Sequence, residues 1–434
     1  MDDAALAALG AESVDWRFKG FPSVFHGRTV ADLVAAKPAL AEFSTPLMML
    51  DAGALEHNIA LMADYCAQRG VDLAPHGKTT MAPQLFARQL AAGAWGITAA
   101  TIAHVRVYRR FGVNTVLLGN ELIDPDALTW IARELERDAG FRFLCFADSV
   151  EGVALMESAL RDATPAPAPG TGRLIEVIVD LGLPGGRTGC RDIETAVAVG
   201  RAVRDAANLR LVGVGGFEGA LAGDRSPAAL ERIRSYLRFV RKTAAAMDEL
   251  GLFDEAEEIV LTAGGSAYFD DVVDALTAPL SLSRPVRPVL RSGAYVTHDD
   301  GHYRRLTPFA VADGGAGTTG FRPALSVLGR VISMPEPGLA LLDFGKRDAP
   351  IDLGPPEPHW LRRATDGERV ELTGCSISGL ADQHAFLTHG PETRPAVGDI
   401  VACGISHPCT AFDKWQLIPV VEDEHVVDLI RTFF

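Results

Sequence analysis

Short apolar segments alternate with longer amphipathic segments from residue 47 to residue 290. Residues 47–50 form an apolar run that predicts a strand, and residues 54–69 space their apolar side chains near the period of an α-helix. The alternation recurs along the chain and predicts a series of βα units. Counted from Val71, the predicted strands number eight and lie at 71–74, 95–99, 115–118, 142–146, 174–180, 211–215, 258–262 and 286–290. The predicted helices that follow lie at 82–92, 102–111, 126–138, 150–160, 193–206, 227–250 and 268–276.

Eight βα repeats favour a closed (β/α)8 barrel over an open, doubly wound α/β sheet. Residues 164–171 are rich in Pro and Ala and are typical of a connector. From Tyr303 onward, short apolar segments are separated by Gly, Pro and Asp, which predicts an antiparallel β domain. These segments lie at 326–333, 338–343, 369–372 and 399–402, so the domain boundary is predicted near residue 300.

Composition and charge limit the classes of function. With 48% hydrophobic and 22% charged residues, the chain is typical of a folded globular protein. It has 41 basic and 56 acidic side chains, and the net charge of −15 repels phosphate backbones and anionic lipids. We therefore expect neither nucleic acid nor a membrane as partner. The sequence shows no signal peptide, no apolar run of about 18 residues and no Cys-x-x-Cys among its six cysteines, so we expect a cytoplasmic protein with reduced thiols.

A lysine follows the first predicted barrel strand, in the segment 74–80 (APHGKTT). Barrel enzymes keep catalytic groups at the carboxyl ends of their strands. A lysine can form a Schiff base with a carbonyl compound or, where burial disfavours its charge, remove a proton. Lys78 is therefore a candidate for attachment of an aldehyde cofactor or for general base catalysis. Taken alone, however, a lysine in a loop is more often a solvated charge.

Two glycines follow the seventh predicted strand, in the segment 261–268 (LTAGGSAY). Gly264 and Gly265 allow close approach of the backbone, and the N–H groups that begin the next helix can bind phosphate together with the hydroxyl of Ser266. Barrels frequently bind phosphate after their seventh and eighth strands. A tight βα turn without a ligand explains the glycines equally well.

A histidine and a cysteine lie two residues apart in the segment 406–410 (SHPCT). Alternate residues of an extended chain point the same way, so His407 and Cys409 can present imidazole and thiolate to one ion. Two protein ligands leave positions open for water or substrate, as a catalytic Zn²⁺ requires. The alternative is a structural histidine beside a buried cysteine.

Other polar groups in similar positions are less specific. Arg187, in a glycine-rich loop, can contact an anionic group or an aromatic ring, or remain solvated. Glu218 follows another predicted strand and can place a carboxylate at the barrel mouth. His384 and His389 can serve in acid–base chemistry or be structural histidines of the β domain. None of these residues by itself decides the function.

Taken together and in order, these segments resemble the fold-type III pyridoxal phosphate enzymes, and within them the D-serine dehydratase and D-threonine aldolase family. The match extends over nearly the whole chain. It is carried by residues 44–47 (STPL), Asp51, 55–59 (LEHNI), 75–79 (PHGKT), 179–182 (VDLG), 187–189 (RTG), 264–266 (GGS), 291–295 (RSGAY), 398–399 (GD) and 407–410 (HPCT).

The resemblance implies an alanine racemase-like architecture and a cofactor site. A pyridoxal phosphate-binding barrel over residues 46–300 would precede a β domain over 301–434 that carries the metal ligands, and residues 1–45 would pack with the latter. The enzyme would be a dimer. Lys78 would bind pyridoxal phosphate covalently and be catalytic. The other site residues implied are His76, Arg187, Glu218, Gly264, Gly265, Ser266 and Tyr295 for the cofactor and His384 as a second catalytic residue.

The resemblance also implies a divalent metal at His407 and Cys409. In this family the dehydratases pair His with Cys and bind Zn²⁺, whereas the D-threonine aldolases have Asp in the second place and favour Mn²⁺, which agrees with the preferences of thiolate and carboxylate. Cys409 therefore favours a dehydratase. We predict β-elimination from D-serine or a related D-β-hydroxy amino acid to a 2-oxo acid and ammonia by a deaminase of low specificity. The alternatives are retro-aldol cleavage to glycine and an aldehyde, and a protein that binds pyridoxal phosphate without turnover.

Overall fold

The computed structural model describes residues 1–163, 174–309 and 320–434. The connector predicted at 164–171 lies outside the described residues. The chain divides into two compact units, which we describe separately. The barrel unit comprises residue 1 with 63–78 and 89–293, and the β unit comprises 2–62, 79–88 and 294–434.

The barrel unit contains eight parallel strands, as the sequence predicts. They lie in the order β2-β9-β8-β7-β6-β5-β4-β3. The N–H groups of Trp95 and Thr98 donate to the carbonyl oxygens of Leu73 and Pro75, each at 2.8 Å, and so link β2 to β3 and complete the ring. The strands are β2 (Asp72–Leu73), β3 (Ile97–Ala99), β4 (Thr115–Glu121), β5 (Arg142–Ala147), β6 (Ile175–Leu181), β7 (Leu209–Gly216), β8 (Ile259–Ala263) and β9 (Val286–Leu290), and β1 (Leu47–Asp51) belongs to the β unit.

The core of this barrel is apolar because its strands turn aliphatic and aromatic side chains inward. Its buried cluster consists of Ala74, Leu117, Leu144, Phe146, Ile178, Val212, Val260 and Val289. Side chains that follow the strands therefore project beyond a filled core at the carboxyl ends, where barrels place their functional groups.

Helices alternate with the barrel strands, and their starts follow from capping residues. Asp124 accepts a hydrogen bond from Ala127 N at 2.8 Å, and Pro125 begins the helix. In the described part of the chain, no helix is both long and apolar enough to cross a membrane. The helices are α1 (Asp3–Leu9), α2 (Val30–Ala36), α3 (Ala52–Arg69), α4 (Pro83–Ala91), α5 (Ile102–Arg110), α6 (Pro125–Arg137), α7 (Val150–Ala163), α8 (Ile193–Asp205), α9 (Pro227–Glu249), α10 (Phe269–Thr277) and α11 (His302–Leu306).

The β unit contains a mainly antiparallel sheet, which confirms the predicted C-terminal β domain. The sheet order is β13-β12-β16-β10-β1-β17-β18, and β11, β15 and β14 extend it from β10. The strand β1 pairs antiparallel with β10 and parallel with β17. The remaining strands are β10 (Leu325–Glu336), β11 (Leu339–Leu342), β12 (Glu357–Arg362), β13 (Arg369–Glu371), β14 (Ser376–Leu380), β15 (Ala385–Thr388), β16 (Ile400–Gly404), β17 (Leu417–Glu422) and β18 (His425–Arg431).

Apolar residues from the first 45 positions pack against this sheet within the β unit. The rings of Phe21 and Phe25 make edge contacts with Phe43 at centroid distances of 5.3 and 5.1 Å. The same buried cluster includes Leu328 and Trp360 of the sheet. The domain boundaries near residues 45 and 300 stay a prediction.

Candidate active site

Lys78 lies just beyond the carboxyl end of β2, in the 3-10 turn Gly77–Thr79. Its side chain is half-buried. A glycine is needed before it, because a Cβ at Gly77 would lie 2.5 Å from the hydroxyl of Tyr108 and 2.8 Å from Ile97 Cγ2. Close packing of this turn against α5 and β3 thus fixes the backbone that carries the lysine.

The imidazole of His76 lies within electrostatic reach of Lys78. Burial, and then the positive charges of Lys78 and Arg291, hold the pKa of His76 well below its usual value. Its Nδ1 is buried and has no hydrogen-bond partner among the described residues. Burial and the charge of Lys78 also lower the pKa of His104. Both imidazoles are therefore neutral at pH 7, and the unpaired Nδ1 of His76 can hydrogen-bond a ligand.

The glycine loop after β8 holds a carboxylate. Gly264 N donates to Glu218 Oε2 at 3.0 Å, and Gly265 N donates to Glu218 Oε1 at 2.8 Å. Gly264 has a φ of 130°, and a Cβ there would lie 2.7 Å from Leu290 Cδ1, so only glycine fits. Ser266 Oγ accepts a hydrogen bond from Ser292 Oγ at 3.1 Å. The loop thus presents two N–H donors to anionic oxygens, and its role in binding phosphate stays a prediction.

Glu218 is fully buried and supplies these anionic oxygens itself. Burial raises the pKa of its carboxyl group, while backbone N–H groups and the charge of Arg291 oppose the shift. Phosphate oxygens have the same hydrogen-bonding character as carboxylate oxygens. The loop therefore fits the phosphate that the resemblance assigns to it, and a phosphate bound to these two N–H groups must displace Glu218.

Sequence reasoning assigned no role to Arg291, although it directly follows β9. Only 2% of the residue is exposed. Its Nε donates to Thr262 Oγ1 at 3.0 Å, and its Nη2 donates to the carbonyl of Gly216. Burial lowers the pKa of Arg291, whereas the charges of Glu218 and Asp180 raise it. The signal in the sequence that could have identified Arg291 was its position directly after a predicted strand. The burial of its side chain, however, depends on the folded barrel.

Two carboxylates, Glu121 and Asp180, lie at the carboxyl ends of β4 and β6. Burial, and then the charge of Asp180, raises the pKa of Glu121 to about 7, and burial raises that of Asp180 to about 6. Thr188 Oγ1 donates to Asp180 Oδ2, and Gly189 N donates to Asp148 Oδ2, each at 2.9 Å. The pair can therefore hold one proton near neutral pH while Asp180 and Asp148 fix the glycine-rich loop.

Arg187 extends from that loop and is exposed. Its guanidinium carbon lies 4.6 Å from the ring centroid of Phe217. The sequence suggested that Arg187 contacts either an anionic group or an aromatic ring, and the structure shows the aromatic contact. Its role in cofactor binding stays a prediction.

His407 and Cys409 lie together in the β unit, with the cysteine in the 3-10 turn Pro408–Thr410. Asp352 Oδ2 accepts a hydrogen bond from His407 Nδ1 at 2.5 Å. Burial alone would lower the pKa of His407, but hydrogen bonds with Cys409 and Asp352 outweigh burial and raise it to about 9. The thiol and the imidazole therefore lie side by side.

The chemistry of this pair fits a zinc ion, because imidazole nitrogen and thiolate sulfur are preferred zinc ligands. Within the ranges that the structure describes, no group of three or more His, Cys, Asp or Glu side chains could hold a metal. A metal bound to these two side chains would therefore need water or substrate to complete its coordination. Sequence reasoning missed Asp352, which lies 55 residues before His407 and in no recognisable motif.

Tyr295 and His384, two other residues of the predicted site, also lie in the β unit. Tyr295 is buried in the 3-10 turn Ala294–Val296, with its ring centroid 6.0 Å from that of Phe321. His384 is exposed between β14 and β15, and among the described residues no hydrogen bond or ion pair joins it to His407 or Cys409. His389 Nδ1 lies 3.1 Å from the carbonyl of Gly390. The catalytic role of His384 stays a prediction.

Comparison with known families places two domains on this chain. Residues 50–300 match the alanine racemase N-terminal domain, and residues 324–421 match a serine dehydratase domain. The first match covers more than half of the chain. Its borders enclose Lys78 and the glycine loop, whereas the second match encloses His407 and Cys409.

Known proteins of similar sequence include an aldolase and a dehydratase. D-threonine aldolase from Arthrobacter sp. is 26% identical over 392 residues, which cover 90% of this chain and 92% of that protein. D-threo-3-hydroxyaspartate dehydratase from Delftia sp. (strain HT23) is 27% identical over 361 residues, which cover 82% of this chain and 85% of that protein. Both matches extend well beyond either domain alone.

Solved structures show the same architecture. The crystal structure of D-threonine aldolase from Filomicrobium marinum has a TM-score of 0.74 and 25% identity, and the match covers 91% of this chain and 97% of that one. The Delftia dehydratase has a TM-score of 0.70 at 22% identity, and the match covers 92% of this chain and 99% of that one. A cysteine-to-alanine variant of that dehydratase has been solved in a metal-free form.

Proposed function

Because this chain belongs to the alanine racemase N-terminal domain family of fold-type III pyridoxal phosphate enzymes, we propose that it is a pyridoxal phosphate-dependent lyase of D-β-hydroxy amino acids. One observation carries the proposal. The lysine after β2 and the anion-binding glycine loop after β8 occur in the same chain as an adjacent imidazole and thiol. The similar aldolase and dehydratase both act on substrates of this class, as their names state.

The barrel unit offers the groups that would hold the cofactor. Bound pyridoxal phosphate supplies an electron sink for the negative charge that develops at Cα of the substrate. Lys78 would bind it covalently, and Gly264, Gly265 and Ser266 would bind its phosphate after Glu218 releases the two N–H groups. The neutral imidazole of His76 would contact the cofactor without adding a charge.

Lys78 would also transfer the proton. Its Nζ would accept the Cα proton that β-elimination must remove from the substrate, whereas retro-aldol cleavage leaves that proton in place and needs a base for the β-hydroxyl proton. Because Lys78 lies in a turn fixed by close packing at Gly77, its amine is held at the rim of the barrel. We also propose that Arg187 and Tyr295 contact the cofactor and that His384 assists catalysis.

His407 and Cys409 would hold Zn²⁺ in the β unit. Zinc supplies a Lewis acid that polarises the β-hydroxyl of the substrate and makes it a better leaving group. A thiolate ligand favours zinc over the harder Mn²⁺, and on this ground we assign β-elimination in preference to aldol cleavage. The balanced reaction converts D-serine to pyruvate and ammonia, or D-threonine to 2-oxobutanoate and ammonia. We propose that D-serine and related D-amino acids are all accepted.

Incubation with D-threonine tests the proposal, because one substrate separates the two reactions. Proton NMR of the products should show 2-oxobutanoate, and Lys78→Ala should yield none. Glycine with acetaldehyde would instead establish retro-aldol cleavage, the second candidate, which the similarity to D-threonine aldolase favours. Bound cofactor without either product would indicate a binding protein. The dimer and the cytoplasmic location stay predictions.

A further inference from the structure

Asp352 joins two residues of the turn that carries Cys409. Its Oδ2 lies 2.5 Å from His407 Nδ1, and its Oδ1 accepts a hydrogen bond from Thr410 Oγ1 at 2.9 Å. Thr410 Oγ1 also lies 3.2 Å from His407 Nδ1. Both oxygens of this carboxylate are therefore engaged with the segment 407–410, although 55 residues separate Asp352 from His407.

The hydrogen bond determines which nitrogen of His407 is available to a metal. A carboxylate oxygen can only accept a hydrogen bond, so Nδ1 of His407 must carry the hydrogen. A metal ligand needs a free lone pair, which leaves Nε2 as the coordinating atom. Metal-binding histidines commonly donate their other N–H to a carboxylate, which fixes the ring and increases its basicity.

We infer that Asp352 is a positioning residue of the metal site. Its carboxylate holds the His407 ring so that Nε2 faces a divalent cation beside Cys409. The inference rests on the proposed function, because it takes the His407 and Cys409 pair to bind zinc. Because its two oxygens already bind His407 and Thr410, we assign Asp352 an outer contact and leave the ligand positions to His407 and Cys409. Loss of such an outer contact typically weakens metal binding about 10- to 100-fold.

The competing explanation is an ion pair that only stabilises the turn. The side chain of Asp352 is 46% exposed, whereas that of His407 is 17% exposed. An ion pair that is partly open to solvent contributes little to stability, so its removal would leave the fold intact. On this explanation, zinc affinity would not depend on Asp352, and the two explanations predict different binding results.

Zinc titration of the metal-stripped protein against a chromogenic chelator distinguishes the two explanations. The measurement requires no substrate. Asp352→Ala should bind Zn²⁺ about 10- to 100-fold more weakly than the unmodified protein. Asp352→Asn retains one acceptor oxygen and should recover part of the affinity. Asp413→Ala is the matched control, because Asp413 is exposed in the same region and forms an ion pair with Lys414 at 3.7 Å. Its zinc affinity should be unchanged.

Cobalt substitution gives a second measurement that a stabilising ion pair would not affect. The ligand-field bands of bound Co²⁺ should shift in Asp352→Ala and return towards those of the unmodified protein in Asp352→Asn. Unchanged zinc affinity and an unchanged cobalt spectrum in Asp352→Ala would overturn the inference and leave the proposed lyase standing. If the unmodified protein bound no zinc, the inference and the zinc site would both be wrong. Zinc binding without a 2-oxo acid product would contradict only the proposed β-elimination.

Discussion

Thr79 Oγ1 and Cys409 Sγ lie 3.4 Å apart in the β unit, and Thr79 is the residue that follows Lys78 in the chain. Thr79 is almost completely buried, with 1% of its surface exposed. The 3-10 turn Gly77–Thr79 therefore carries both the lysine proposed to bind the cofactor and a hydrogen-bond partner of a proposed metal ligand. The chain passes from the barrel unit to the β unit between Lys78 and Thr79.

Thr79→Val should weaken zinc binding while preserving the fold. The substitution keeps the shape of the side chain but removes the hydroxyl that can donate to the Cys409 thiolate. One hydrogen bond contributes about 0.5–1.5 kcal/mol, so zinc affinity should fall roughly 2- to 10-fold. Thr80→Val is the matched control, because Thr80 is also buried but its hydroxyl contacts Ala82 N. Equal zinc affinity in both variants, measured by chelator competition, would refute a role for Thr79.

Glu218→Gln should destabilise the cofactor-free protein. Glutamine has a single acceptor oxygen, so one N–H of the Gly264 and Gly265 pair would face an amide nitrogen. A buried donor without a partner costs about 1–3 kcal/mol of the free energy of unfolding, which urea denaturation can measure. The control is Glu231→Gln, because Glu231 is exposed on α9 and forms a surface ion pair with Arg238.

The same variant tests whether phosphate displaces Glu218. If phosphate takes both N–H groups, saturation with pyridoxal phosphate should restore part of the stability that Glu218→Gln loses. The cofactor would then stabilise the variant more than the unmodified protein. An identical loss with and without cofactor would show that the phosphate binds elsewhere.

Glu121→Gln should change how stability depends on pH. Unfolded Glu121 loses its proton near the usual value of 4.5, whereas its folded pKa is about 7, mainly because of burial and secondly because of the charge of Asp180. Between these values the folded state binds more protons than the unfolded state, so stability falls as pH rises. The destabilisation is complete above about pH 7 and absent well below pH 4.5.

Removing this carboxyl group should therefore favour the variant increasingly as pH rises through that window. Asp180 and Asp148 raise the pKa of Glu121 through their charges. Urea unfolding of both proteins across the window gives the comparison. Parallel stability curves would mean that Glu121 ionises normally in the folded protein.

Cys409→Asp should change the metal preference. The carboxylate retains a negative ligand beside His407 but replaces soft sulfur by hard oxygen, which favours Mn²⁺ relative to Zn²⁺. Competitive binding of the two ions to the metal-stripped protein should show a lower ratio of zinc to manganese affinity. Cys375→Asp, at a half-buried cysteine outside the proposed site, is the control. An unchanged ratio would argue against Cys409 as a ligand.

The periodic pattern of the sequence determined the elements and the fold class. The strand predicted at 286–290 is β9 (Val286–Leu290), and the helix predicted at 102–111 is α5 (Ile102–Arg110). Such patterns are readable because an element that buries one face repeats its apolar residues at its own period, which is a local property. Lys78, the glycine loop and the His407 and Cys409 pair are also short local motifs, and so the sequence identified them as candidates.

Tertiary structure alone decided which distant groups meet. The sequence predicts a strand at residues 47–50, but only the folded structure shows that β1 pairs with β10 and β17. The apolar pattern of a strand does not specify which strand lies beside it. The burial of Arg291, the carboxylate of Glu218 on the Gly264 and Gly265 loop and the contact of Asp352 with His407 likewise depend on packing between segments far apart in sequence. Their hydrogen bonds and pKa shifts arise from that packing, so no local pattern could reveal them.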